Sequence, residues 1–202
     1  MSKIGKDEIL DKCINGIKKS FKEYLKWSDD EWLWNAPEYL ITVNIAKELS
    51  AIEGAKFITL EDNIKKTLKT ANAKIKGKLS KNIRPDGRSD IVLWWGKGTP
   101  RGIIEVKNAI YRKDNLEDDL NRIYGLLKKS SDIEFGITTF YIDRNYKNGN
   151  ATKTLETRIN NEFIEKIKIE VLSQNFKYKP RYKKILSDEN NSAFAVALMI
   201  YK

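Results

Sequence analysis

Asp90-Ile91-Val92-Leu93-Trp94-Trp95, the loop Gly96-Lys97-Gly98-Thr99-Pro100-Arg101 and the run Ile103-Ile104-Glu105-Val106-Lys107 decide how this chain is read. Two short apolar runs joined through Gly and Pro predict a β-hairpin. Strands this apolar are expected to be buried, and a buried charge is costly unless it is paired or bound to metal. An acid opens the first strand, and an acid–x–base triplet closes the second. Alternation puts Glu105 and Lys107 on one face, with Val106 on the other. Asp90 joins them only if its antiparallel partner is Glu105 or Lys107, since a slip of one residue sends it to the opposite face.

Working outward, Lys6 to Trp27 has apolar residues at helical spacing and predicts an amphipathic helix. Asn35 is expected to cap a second helix, Pro37 to about Ile52, with the proline in its first turn. At about 100° per residue, Glu38 lines up with Ile41, Ile45, Leu49 and Ile52, so it points at the sheet. The plain alternative is an acid that complements the helix dipole.

Lys56–Leu60 reads as a strand and Glu61 to about Lys76 as a helix, followed by a basic loop at Gly77 to Arg88. Beyond the hairpin, a helix is expected at Asn115–Ser130, a strand at Ile133–Ile142 and a helix at Ala151–Lys166. Strands at Ile167–Leu172 and Phe194–Tyr201 then flank a polar stretch, Asn175–Asn191. The expected fold is α/β, a mixed central sheet flanked by helices. Residues 1–202 are read as a single domain with a core at about 37–144, an N-terminal helix and connector at 1–35, and an added helix and strands at 151–202.

Composition narrows the chemistry. The 202 residues carry a formal charge of +10, which favours a polyanionic partner, nucleic acid or an anionic membrane surface. One cysteine excludes an internal disulfide and a Cys-rich zinc site. There is no histidine, so Ser-His-Asp and Cys-His catalysis and His-ligated zinc are excluded. Catalysis must run on carboxylates, lysines, hydroxyls and hard, oxygen-bound metals. No run resembles a signal peptide or a membrane span, so the chain is expected to be soluble and cytoplasmic, with no membrane partner.

Converging carboxylates repel one another, and a divalent cation relieves that repulsion. Mg2+ prefers oxygen ligands, lowers the pKa of a bound water and neutralises charge developing on a phosphate. A lysine beside it can orient the attacking water. The plain alternative is a salt bridge among Asp90, Glu105 and Lys107 on an exposed hairpin.

At these residues the chain resembles the PD-(D/E)XK nuclease superfamily, the restriction-endonuclease-like proteins. Asp90 heads the second core strand, Glu105-Val106-Lys107 forms the triplet, and Glu38 takes the place of the acid on the first core helix. Pro85-Asp86 also spells "PD", which makes Asp86 the rival of Asp90. The resemblance spans Pro37 to about Arg144 and implies an αβββαβ core, from which the insert Glu61–Arg88 departs. It implies an Mg2+-dependent endonuclease that hydrolyses DNA, with Mn2+ expected to substitute and RNA the lesser alternative. Glu38, Asp90, Glu105 and the Val106 carbonyl would hold the metal, and Lys107 would position the water. Asp119 or Arg122, on the helix that follows, would support the site.

Lys65, Lys66, Lys69, Lys74, Lys76, Lys78, Lys81, Arg84 and Arg88 lead into Asp90 and could track a phosphate backbone. Arg122 and the run Lys177-Tyr178-Lys179-Pro180-Arg181-Tyr182-Lys183-Lys184, with Lys179 and Arg181 as its contacts, extend that set, the latter interleaving cations with aromatics. The five tryptophans are read as packing residues rather than stacking platforms. A setting in defence, restriction or repair is expected, and a homodimer would supply two sites for two strands. The rival reading is an inactive nuclease-like module that binds nucleic acid or docks on proteins through Trp32 and Trp34.

Overall fold

The computed structural model describes residues 4–54, 56–74, 83–129, 131–146, 150–188 and 190–202. Helix α1 is Lys6–Trp27, α2 is Glu38–Ser50, and a single 3-10 turn, Leu33–Asn35, joins them. Strand β1 (Lys56–Asn63) leads into α3 (Ile64–Thr70), whose N-cap Asn63 accepts the Lys66 amide at 3.1 Å. Next come β2 (Arg88–Trp95), β3 (Pro100–Lys107), α4 (Glu117–Leu127) and β4 (Phe135–Asn145). Helices α5 (Ala151–Arg158) and α6 (Lys166–Ser173) run together through a π-helical stretch, Ile159–Glu165, before β5 (Lys177–Ser187) and β6 (Asn191–Tyr201).

The six strands form one mixed sheet in the order β1-β2-β3-β4-β6-β5. Among the described residues only β3 and β4 pair in parallel, as a connection through α4 requires. Each face of the sheet buries its own core. Helices α1 and α2 cover Ile91, Leu93, Ile104 and Val106 on one face. On the other, α3, α4 and the α5–α6 segment cover Val92, Ile103, Phe140 and Val196. The α/β class with a mixed, helix-flanked sheet is therefore as expected. Residues 151–202 share this sheet, because β6 lies between β4 and β5.

Helices α1 and α2 approach backbone to backbone. A Cβ on Gly16 would stand 2.6 Å from Ile45 Cα, so only glycine allows this crossing. The α2 stripe of Ile41, Ile45 and Leu49 is fully buried, which fixes the rotation of the helix that Glu38 begins.

Four local expectations are corrected. Asn35 does not cap α2: the helix starts at Glu38 after Pro37, and Asn35 Nδ2 donates to Glu31. The helix predicted from Glu61 is strand as far as Asn63. Ile167–Leu172 is helical rather than a strand, since α6 continues the preceding helix. Finally, the polar stretch after Asn175 contains an 11-residue edge strand, β5. Its lysines and Pro180 are what an edge tolerates.

Candidate metal and catalytic site

The hairpin places the first acids. Ile91 pairs with Ile104 and Val92 with Ile103, so the same register carried one step on sets Asp90 opposite Glu105. The Gly98 backbone at φ +86° closes the turn, with Trp95 N–H donating to the Thr99 carbonyl at 2.8 Å. Asp90 Oδ2 accepts the Val106 N–H at 2.6 Å, which ties the start of β2 to the triplet. Asp86, by contrast, is exposed in the turn before β2.

Helix α2 brings Glu38 to the end of β3. Glu38 Oε2 accepts the Asn108 N–H at 3.1 Å, and Oε1 stands 3.6 Å from Lys107 Nζ. Lys107 Nζ also lies 3.4 Å from Asp119 Oδ2 and donates to the Val106 carbonyl at 3.1 Å. From α4, Arg122 Nη1 donates to Glu105 Oε2 at 2.6 Å, and Arg122 Nη2 lies 3.9 Å from Asp119 Oδ1. Glu38, Asp90, Glu105, Lys107, Asp119 and Arg122 thus form one cluster at one end of the sheet.

Burial sets its electrostatics. Glu105 is 1% exposed, and desolvation pushes its carboxyl up to about 8 although Arg122 pulls the other way. Burial also raises Asp90, against the Val106 amide and Lys107, and raises Asp119, against Lys107 and Arg122. Glu38 is raised by burial despite the nearby Lys107. Burial acts to lower the Lys107 ammonium, but Asp119, Glu38, Asp90 and Glu105 together hold it above the usual lysine value.

Four carboxylates thus face two cations, an excess of negative charge in a partly dry site. Glu105 Oε1 is buried without a hydrogen-bond partner, as is Thr138 Oγ1 on the paired residue of β4. All-oxygen donors, excess negative charge and an orphaned carboxylate oxygen fit a hard divalent cation. Among the described residues, however, no three acidic or cysteine side chains are gathered in an arrangement that would hold a metal ion. Arg122 takes one Glu105 oxygen, so a cation reaching Glu105 through both oxygens must displace the guanidinium.

Two residues had no place in the sequence reading. Glu61 sits on β1 at the register position opposite Asp90, at φ +55°, and its charge raises Asp90 further. Asn108 follows the triplet and donates through Nδ2 to the carbonyls of Leu33 and Ala36, both at 2.8 Å.

The basic residues scatter. Arg122 is buried against Glu105 rather than presented on a surface. Lys179 and Arg181 pair with Asp7 of α1 at 2.5 and 2.6 Å, and Arg181 also reaches Asp11. Arg84 pairs with Asp118, while Lys74 and Arg88 are exposed. Lys76, Lys78 and Lys81 lie outside the described residues. No helix among the described residues is long and apolar enough to cross a membrane. No protein-family model, curated protein or solved structure matches the chain.

Proposed function

We propose that this chain is a metal-dependent nuclease of the PD-(D/E)XK type that hydrolyses DNA phosphodiester bonds. The observation that carries the reading is the meeting of Glu38, Asp90, Glu105 and Lys107 at one end of the sheet, from three separate elements. The succession α2, β1, β2, β3, α4, β4 also supports it. In that succession β1 to β3 pair antiparallel and β4 joins β3 in parallel.

Glu38, Asp90 and Glu105, with the Val106 carbonyl, would hold Mg2+ or Mn2+. When bound, the ion activates a water and neutralises charge on the phosphate. Lys107 Nζ, kept protonated by its acids and braced by Asp119, orients that water and donates to the phosphate oxygen. Asn108 holds Glu38 in line through its amide. Arg122 holds Glu105 in place through Oε2. The net charge of +10 draws in a polyanionic substrate.

Nicking of supercoiled plasmid with Mg2+ or Mn2+ tests the reading. Wild type is expected to cut, while Glu105→Ala and Lys107→Ala lose at least about 100-fold in rate. Equal behaviour of wild type and variants with both metals overturns it, and labelled RNA offered alongside decides the sugar. A second reading has its own support: the Arg122–Glu105 pair satisfies the site without a metal, as an inactive nucleic-acid-binding relative would need. That relative would bind DNA and leave it whole.

A further inference from the structure

We propose that an open cleft between the loop after Lys107 and the α5–α6 segment holds a backbone phosphate of the substrate strand, with Arg112 and Arg158 as its ligands. The inference rests on the nuclease reading and adds a phosphate contact at residues outside the basic tracts. The cleft encloses about 570 Å³ and is lined by Arg112, Lys113, Asp114, Arg158, Glu162 and Lys166. Arg158, Glu162 and Lys166 follow one another at intervals of four, which brings them to one edge of their helical segment.

Four cations face two acids across the cleft, and pairing decides which of them is left for a ligand. Lys166 Nζ lies 2.8 Å from Glu162, and Lys113 Nζ lies 2.7 Å from Glu170 of α6. Lys166, with Arg158 behind it, holds the Glu162 carboxyl below its ordinary value. Arg112 is exposed and makes no ion pair among the described residues. Arg158 Nη2 donates to the Tyr111 carbonyl at 2.6 Å, which uses one of its five N–H donors. Two guanidinium forks, whose planar donors match a phosphate, thus stand against Asp114 alone.

The loop ties this cleft to the candidate metal site. Its ends meet where Lys107 Nζ stands 3.4 Å from Asp119 Oδ2, and Arg112 to Asp114 lie midway between them. Even a fully extended chain puts Arg112 no more than roughly 18 Å from Lys107. At about 3.4 Å per nucleotide, that is about five nucleotides along one strand. The loop is also braced: Ile110 N–H donates to the Tyr141 carbonyl at 3.1 Å, Tyr111 Oη donates to Asp143 at 2.9 Å, and the Arg144 guanidinium lies 3.9 Å over the Tyr111 ring. Donors already held in place bind an anion without the entropy cost of ordering a loop. An acidic peptide carries the same charge, but the nearness of the metal acids favours the strand they would cut.

The test is fluorescence anisotropy in EDTA with labelled DNA duplexes of two unrelated sequences, titrated across salt. Arg112→Ala is expected to weaken both by the same factor, about 3- to 10-fold, and to reduce the salt slope by about 1. Arg112→Lys, which keeps the charge, should stay within about threefold of wild type. Asp114→Asn removes the opposing acid and should tighten binding. Unchanged affinity and slope in Arg112→Ala overturn the phosphate site, and leave the nuclease reading intact if wild type nicks plasmid and Asp90→Asn does not. A loss confined to one sequence overturns it too, since a phosphate contact carries no base preference. Labelled polyglutamate that needs Arg112 for binding, where DNA does not, gives the cleft to an acidic peptide instead. Wild type that neither binds nor cuts nucleic acid removes both readings.

Discussion

Arg122 Nη1 stands 2.6 Å from Glu105 Oε2, and both side chains are almost wholly shut off from solvent. The pair joins α4 to β3 across the interior. Glu105 Oε1 and Arg122 Nε are buried without a hydrogen-bond partner.

Removing one partner leaves the other buried group without its hydrogen bond. Arg122→Met is expected to cost about 1–3 kcal/mol of unfolding free energy without divalent ions. The double variant Arg122→Met/Glu105→Gln should recover a large part of that loss. Urea unfolding followed by circular dichroism checks it; a double variant no better than the single refutes it.

The cluster also predicts a pH dependence. Burial holds Glu105 near 8 in the folded chain, above its ordinary 4.5, so the folded state keeps this proton more tightly than the unfolded one. That contribution is complete below about pH 4.5 and is lost as the pH rises through about 8. Asp90, Asp119 and Glu38 are raised as well and act in the same sense. The Tm in EDTA should fall between pH 5 and 8, and Glu105→Gln should flatten the decline. Mg2+ should raise the Tm more at pH 8 than at pH 5.

Asp90 and Asp86 separate cleanly. Asp90→Asn keeps a carbonyl oxygen that can accept the Val106 amide, so its Tm should stay within a few degrees while metal-dependent nicking is lost. Asp86→Asn, altering an exposed turn residue, should change neither. Scanning calorimetry and plasmid assays on both variants decide the assignment, and loss of activity in Asp86→Asn alone would reverse it.

Lys179 and Arg181 are engaged by α1. Replacing both with alanine should leave DNA affinity and its salt slope unchanged within about twofold, since those cations already face Asp7 and Asp11. The stability cost should be small, because these pairs are exposed and screened by solvent. A shallower salt slope in anisotropy titrations would return these residues to the nucleic-acid interface.

What could be read beforehand was whatever a simple period encodes. The hairpin is legible because Ile91 to Trp94 and Ile103, Ile104 and Val106 supply apolar residues to both faces and the turn carries glycine. Glu38 is legible because it lies in phase with Ile41, Ile45 and Leu49 on one helix. Ile167-Lys168-Ile169-Glu170-Val171 misleads because it alternates like a strand, yet the helix entering it through Ile159–Glu165 simply continues and leaves Ile169 in water. Strand β5 was hidden because one face is cationic, and its pairing with α1 acids 170 or so residues away leaves no local mark. Glu61 carries no mark in the sequence: its place opposite Asp90 is set by the pairing of β1 with β2, and only the paired strand reveals that.

Ile45 lies two helical turns along from Glu38, so a shim as thin as one methyl group at Gly16 would tilt the whole rod and lift the carboxylate away from Lys107 and Asn108. The gauge that sets the mouth of this site is thus located at a residue with no side chain, on the opposite face of the sheet from Glu105.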